Sequence, residues 1–361
     1  MKKVIISFFL VVSFVNLYSQ KITGTVYDNA TKEPIPEVSV YLNNTTYNTQ
    51  TNSKGEFELS FDKEIVTDLV ISRVGYNMIS IPHPYDGIPE KIFLTSKSTL
   101  DEIIFEVPRN GLSRREMLKM FKTEFLGNSH TAQSCKIQNE DDIELFFDYK
   151  NYRLTARSEN PIVITNQYLG YVIKFELIDF YAQYDSRYHP RKMIITATEG
   201  KASFNDLNNE NNKKINKRRK EIYNESRNFF FKNLANKTLY GRFAIASTSK
   251  PYYHHRPSAQ PIDSLFIIKD TLAVKKISLT NYGCHDIRPA SNQNLVSGRI
   301  HIADRYSNSS YLTFISDSFF VDKYGNAFVI DGNGFVVNHL IFSGFLGGLR
   351  MGDTLPQNYE P

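Results

Sequence analysis

Residues 21 to 94 constrain this chain more than any other stretch, because turn chemistry and period-two patterning recur through them at a spacing that suits short β-strands. Ile22, Gly24, Val26 and Asp28 fall on one face of an opening strand, with Thr25 and Tyr27 on the other. Turn-forming residues fill positions 29 to 36, after which Val38 and Val40 alternate with Ser39 and Tyr41. The next turn, Thr51-Asn52-Ser53-Lys54-Gly55, places a glycine where positive φ is needed. Phe57 and Leu59 then take one face and Glu56 and Glu58 the other; residues 69 to 71 and 91 to 94 supply further strands, and Gly75-Tyr76 a closing turn. A strand set this short and regular predicts a small β-sandwich.

The pattern Gly24, Val26, Asp28, Pro34, Ile35, Val38, Val40, Asn52, Gly55, Phe57, Gly75 and Tyr76 resembles the carboxypeptidase-regulatory-like domain. That family is a transthyretin-like, Ig-like sandwich of exported proteins in Bacteroidetes-type bacteria, and a similar sandwich follows the catalytic domain of some metallocarboxypeptidases. The resemblance implies a fold and an exported protein, and no reaction, because one fold hosts many functions. Thr99-Leu100-Asp101-Glu102-Ile103-Ile104 is similar to the segment that joins this sandwich to the plug of TonB-dependent transporters. Here Pro108-Arg109-Asn110-Gly111 follows instead of a plug, and the roughly 250 residues beyond are too few for a 22-stranded barrel.

Residues 1 to 20 have the form of a secretory signal peptide: Lys2 and Lys3, an apolar run over 4 to 15, and the small Ser19 at the cleavage edge. The apolar run is shorter than the ~20 residues of a spanning helix. No cysteine lies near that edge, so the expectation is export to the periplasm or cell surface, and not as a lipoprotein. A formal charge of +5, from 43 basic and 38 acidic residues, is too mild to imply a nucleic-acid partner. Cys135 and Cys284, the two cysteines, would either form one long-range disulfide in an oxidising compartment or remain separate buried thiols.

A length of 361 residues suggests two domains, and 22 Tyr with 26 Phe and no Trp leans toward β structure. The expected organisation is a signal peptide over 1–20, the sandwich over 21–97, a linker and helix over 98–130, and a β-rich domain over 131–361. Ser113 and Glu116 have capping-box spacing, Met117, Met120, Phe121 and Phe125 form a helical stripe, and Gly127 supplies the stop. Beyond Cys135 strands dominate: Ile143, Leu145, Phe147 and Tyr149 alternate with polar and aromatic neighbours, as do Tyr171, Ile173, Phe175 and Leu177 with Val172, Lys174, Glu176 and Ile178. One long helix near 211–235 interrupts them; its basic run, residues 213 to 220, reads as a solvated face. The fold class is therefore mainly β, with an N-terminal sandwich, a linking helix and a larger antiparallel β domain carrying one inserted helix. Phe125-Leu126-Gly127, Leu169-Gly170-Tyr171 and Leu355-Pro356-Gln357-Asn358-Tyr359-Glu360-Pro361 resemble the domain that follows this sandwich in Bacteroidetes envelope proteins, a resemblance that carries architecture and no activity.

The chemistry of the chain is sparse. Zinc carboxypeptidases hold their metal with His-x-x-Glu and a distant His; none of the eight histidines has Glu three residues on, and His-Glu-x-x-His does not occur. His254 and His255 sit in a proline-bounded loop, and His285-Asp286 beside Cys284 could meet them only through the fold. Asp141-Asp142 reads as a polar loop before a strand, Gly332-Asn333-Gly334 as a hairpin turn, and residues 340 to 349 as a buried strand plus turn or an apolar surface patch. Nucleophile elbows and phosphate-binding glycine loops do not occur. No catalytic, cofactor-binding or metal-binding residue is assigned, and no cofactor is implied. The expectation is an exported, non-enzymatic protein that binds an envelope protein or glycan, with peripheral outer-membrane association open to it. The alternatives are an orphan hydrolase with its site in 131–361, or a small outer-membrane β-barrel.

Overall fold

Alternating side chains set the N-terminal module. The computed structural model describes residues 20–97, 111–186, 192–207, 212–236, 238 and 346–361, together with the backbone of the strands and a helix start between 243 and 345. Seven strands come first: β1 (Gln20–Asp28), β2 (Ser39–Leu42), β3 (Asn48–Gln50), β4 (Glu56–Phe61), β5 (Leu69–Ser72), β6 (Ile79–Ile81) and β7 (Lys91–Leu94). They form two sheets, ordered β4-β1-β7 and β3-β2-β5-β6, with β1 and β7 parallel and the other pairs antiparallel. In β4 Phe57, Leu59 and Phe61 point into the core while Glu56, Glu58 and Ser60 reach solvent. The turn before β4 works as its composition predicts: Asn52 Oδ1 accepts from the backbone N–H groups of Lys54 and Glu56, at 2.9 and 3.0 Å. Gly55 adopts φ +73°, and a Cβ there would lie 2.5 Å from the Val26 carbonyl.

Two motif residues far apart in sequence also meet. Asp28 accepts from the Ala30 and Thr31 N–H groups and from the Tyr76 hydroxyl, at 2.7, 2.9 and 2.9 Å. Those bonds, the Thr31 amide first, hold its carboxyl below the usual carboxylate range.

Behind the sandwich come α1 (Arg114–Leu126), α2 (His130–Gln133), β8 (Cys135–Ile137), β9 (Ile143–Asp148), β10 (Arg153–Ser158), β11 (Ile162–Asn166), β12 (Tyr171–Asp185) and β13 (Lys192–Asp206). The Ser113 capping box is formed in both directions, and Gly127 ends α1 at φ 100°. β12 is the spine of a six-stranded sheet. β13 pairs along one edge, and the other edge is shared by β11, opposite Tyr171 to Phe175, and β10, opposite Tyr181 to Gln183. A bulge at Ile178 separates the two halves and reverses the side-chain phase. Tyr171, Ile173 and Phe175 are buried before it, Phe180, Ala182 and Tyr184 after it, and all six join one core. α1 covers that face, with Phe121 and Phe125 edge-on to Phe180 and Phe175 at ring separations of 4.8 and 5.2 Å.

The helical insertion is two helices, α3 (Lys213–Glu225) and α4 (Arg227–Ala235), where one continuous helix over 211–235 is the sequence expectation. Ser226 adopts extended backbone between them and its Oγ accepts from Phe229 N–H, so it caps the second helix. Eight further strands follow: β14 (Phe243–Ala246), β15 (Phe266–Thr271), β16 (Val274–Leu279), β17 (Arg288–Pro289), β18 (Val296–Asp304), β19 (Ser310–Ser316), β20 (Ala327–Asp331) and β21 (Leu340–Ser343). They form two additional antiparallel sheets, and among the described residues no sheet closes into the barrel held as an alternative. Residues 340–349 form β21 and a short helix, α5 (Gly344–Gly348), with Leu346 fully buried. The hairpin expected at Gly332-Asn333-Gly334 lies outside the described residues.

Candidate functional site

The outer face of the β3-β2-β5-β6 sheet is not left to solvent. Every residue of β5 is buried, as are Val40, Tyr41 and Leu42 of β2, because Val40, Leu42, Leu69 and Ile71 enter the sandwich core while Tyr41, Val70 and Ser72 are covered from the other side. The cover includes the polar face of β12 and β13. Asn44 N–H donates to the Ala202 carbonyl at 2.7 Å, Phe204 N–H to the Thr45 carbonyl at 2.9 Å, and Ala202 N–H to Asn43 Oδ1 at 2.9 Å. Lys201 Nζ meets Asp68 Oδ2 at 2.6 Å. Burial, the largest influence on Asp68, pushes its carboxyl up, but hydrogen bonds from Lys201 and Ser80 outweigh it and leave the group below its ordinary value. The C-terminal residues fasten the same seam: Gln357 N–H donates to the Asn44 carbonyl at 2.7 Å, Asn358 exchanges hydrogen bonds with Thr46, and Glu360 pairs with Lys63.

Beside this seam the two modules part around a cleft of about 470 Å³. Ser39, Tyr41, Ser72 and Arg73 line it from the sandwich; Lys174, Glu176 and Ser203 line it from β12 and β13. The same alternation that sends Tyr171, Ile173 and Phe175 into the core sends Lys174 and Glu176 here. Ser72 Oγ donates to Glu176 Oε1 at 2.6 Å, and burial raises the Glu176 carboxyl above its ordinary value against the opposing pull of Ser72, Lys97 and Lys174. Tyr41 is 2% exposed, and burial followed by the nearby Glu176 raises its phenol further still. Its hydroxyl and Arg73 Nη1 are both shut off from solvent without a hydrogen-bond partner. Such a group costs about 1–3 kcal/mol when left unpaired, and both residues line this cleft.

The remaining wall is held by a residue the sequence singles out for another reason. Asp142 sits at the end of a 3₁₀ turn, Glu140–Asp142, directly before β9, which is the polar loop expected of Asp141-Asp142. It accepts from Asn139 Nδ2 and Asn160 Nδ2, at 2.8 and 3.0 Å, which hold its carboxyl below the ordinary range. Both asparagines line the cleft, so Asp142 positions a wall rather than a reacting group. Among the described residues Cys135 has no disulfide partner; its Sγ lies 3.6 Å from the Thr131 carbonyl and burial raises its pKa to about 12, while Cys284, the other half of the expected pair, lies outside them. His254, His255, His285 and Asp286 likewise lie outside them. Tyr41, Arg73 and Glu176 are the residues that motif reading misses. Their one sequence signal is Lys174 and Glu176, charged side chains on the back of a strand whose front is apolar.

No curated protein matches this chain. Residues 22–104 match the family model of the CarboxypepD_reg-like domain, and the N-terminal sandwich is of that domain family.

Proposed function

We propose that this protein is an exported, non-enzymatic envelope protein that holds another envelope component in the cleft between its sandwich and its β domain. One observation carries the reading: Tyr41 and Arg73, each with a buried polar atom that no protein group pairs, both line the interdomain cleft. Ligand sites favour such junctions, where a few polar groups converge on a recess between packed modules. The signal-like residues 1 to 20 support export, and the resemblance of the sandwich to exported modules supports an envelope location.

The mature chain, immobilised and exposed to solubilised envelope of its own source, is expected to retain a discrete component that Tyr41→Phe with Arg73→Gln releases. Retention of the same component by the double variant would remove the cleft from the reading. Fractionation of the full-length chain tests export: recovery in the cytoplasmic fraction alone sinks it, and release from membranes by high salt supports peripheral association.

A further inference from the structure

We propose that the protein pairs with a second copy of itself along the open stretch of β13, strand to strand and antiparallel, with Thr196 on the twofold axis.

The outer edge of β13 is covered along only part of its length. Ala202 and Phe204 turn backbone groups away from β12, and the β2–β3 loop takes them through Asn44 and Thr45. Backbone groups alternate in direction along a strand, so those of Thr198 and Thr196 face the same way. Among the described residues β13 pairs with no strand but β12, and no backbone group meets these two threonines from outside. A row of open N–H and C=O groups is a template for another strand, and natural edges are ordinarily blocked by charge or proline. The run Met193-Ile194-Ile195-Thr196-Ala197-Thr198 carries neither, and its composition suits a strand. Ile194 and Ile195 are 61% and 38% exposed, apolar surface that a partner would take out of water.

An irregularity in this edge selects a copy of the same chain as the partner. Ile195 lies opposite Gln183 and Met193 opposite Tyr184, which leaves Ile194 as the extra residue of a bulge. With the Thr196 residues of two copies facing each other, Ile195 falls against Ala197 of the second copy, a large side chain against a small one. The extra residue then advances the register by one. Met193 meets Thr198 of the second copy, and Lys192 meets Glu199 of the second copy. Without the bulge Lys192 would fall opposite Gly200 and Glu199 opposite Met193. The twofold makes each contact twice, so one edge supplies both the cation and the anion that the pairing uses. Lys192 and Glu199 are both exposed.

The test is sedimentation velocity of the full chain at rising concentration, where the parent should reach twice the monomer mass. Thr196→Pro removes an N–H that points away from β12, so the fold should persist by circular dichroism while the protein stays monomeric. Ile195→Lys sets a charge on the open edge and should also hold the monomer; it carries the test should the proline variant fail to fold. Lys192→Glu and Glu199→Lys should each weaken self-association about tenfold, because like charges then face each other twice, and the double reversal should restore it. A parent that is monomeric at every concentration overturns the proposal. So does a dimer that survives both Thr196→Pro and Ile195→Lys, since it would be built on another surface. Loss of the dimer in those two variants with no response to charge reversal overturns the Thr196 register, and growth beyond two copies overturns the closed twofold.

Discussion

At the level of single residues, the basic run 213 to 220 shows how one position can escape its neighbours. Lys217 is 79% exposed at its side chain, as a solvated face requires, but Arg219 is buried. Its guanidinium makes two 2.8 Å bonds to Asp206, donates to the Leu169 and Gly170 carbonyls, and lies 3.8 Å over the Tyr171 ring. The cue is present in the spacing: Ile215, Arg219 and Tyr223 are four residues apart and share the buried stripe of α3. Composition hides it, because a run of lysines and arginines is ordinarily solvent-facing. Arg219→Ala is expected to lower unfolding free energy by about 2–3 kcal/mol, less than for a fully enclosed pair because Asp206 still reaches water. Arg219→Lys should recover little of that, since the planar two-point contact is lost; urea unfolding of both variants checks this.

Glu176 gives a second prediction at this scale. Its carboxyl is raised above the ordinary 4.5 in the folded chain, so the folded state holds a proton where the unfolded state does not. Burying the carboxylate therefore costs stability above the raised value. The cost is relieved as pH falls through that value and is gone below 4.5. Glu176→Gln, which keeps the contact with Ser72, should be more stable than the parent at pH 8, with the difference shrinking toward pH 4.5. A difference independent of pH would show that the carboxyl is not buried as described. Comparing the two proteins cancels the other raised carboxyls, Glu124 and Asp353.

Among elements, β12 marks the boundary between what alternation reveals and what it hides. The period-two pattern from Tyr171 to Leu177 is readable and correct in phase, and so are the capping box of α1 and the Asn52–Gly55 turn. The phase reversal at Ile178 is not readable, because a bulge is set by what the partner strand presents. That partner is Gly200, opposite Leu177, where a Cβ would come within 2.4 Å of the Glu176 carbonyl and the Phe175 ring. Gly200→Ala should cost about 3 kcal/mol by overpacking against backbone, measurable as a lowered urea midpoint. The break at Ser226 is similar in kind. Its neighbours carry a helical pattern on both sides, and the extended Ser226 backbone lets α4 pack Phe230, Phe231 and Leu234 into the interior.

Across the whole molecule, the C-terminal residues act as a fastener between modules remote in sequence. Gln357, Asn358 and Glu360 each reach the sandwich, and Leu355 enters the core of the β domain. Removing residues 355 to 361 should uncouple the modules: calorimetric unfolding, expected as one transition in the parent chain, should divide into two, with earlier proteolysis near the seam. A single unchanged transition would show that the β2–β3 loop and the Lys201–Asp68 pair suffice.

The sequence by itself determined the local pieces of this protein: the sandwich strands and their turns, the capped helix, the β-rich character of the second region and the alternation of its strands. Those features depend on interactions a few residues apart, and side-chain type reports them directly. Only the tertiary structure decided that the sandwich is buried on both faces of one sheet, that Arg219 is enclosed, and that Tyr41 and Arg73 line one recess with Glu176. Ser72 and Glu176 are 104 residues apart, and no local periodicity encodes their meeting. The cleft exists because two polar surfaces, each fit to face water, were docked against one another and left two of their groups unpaired.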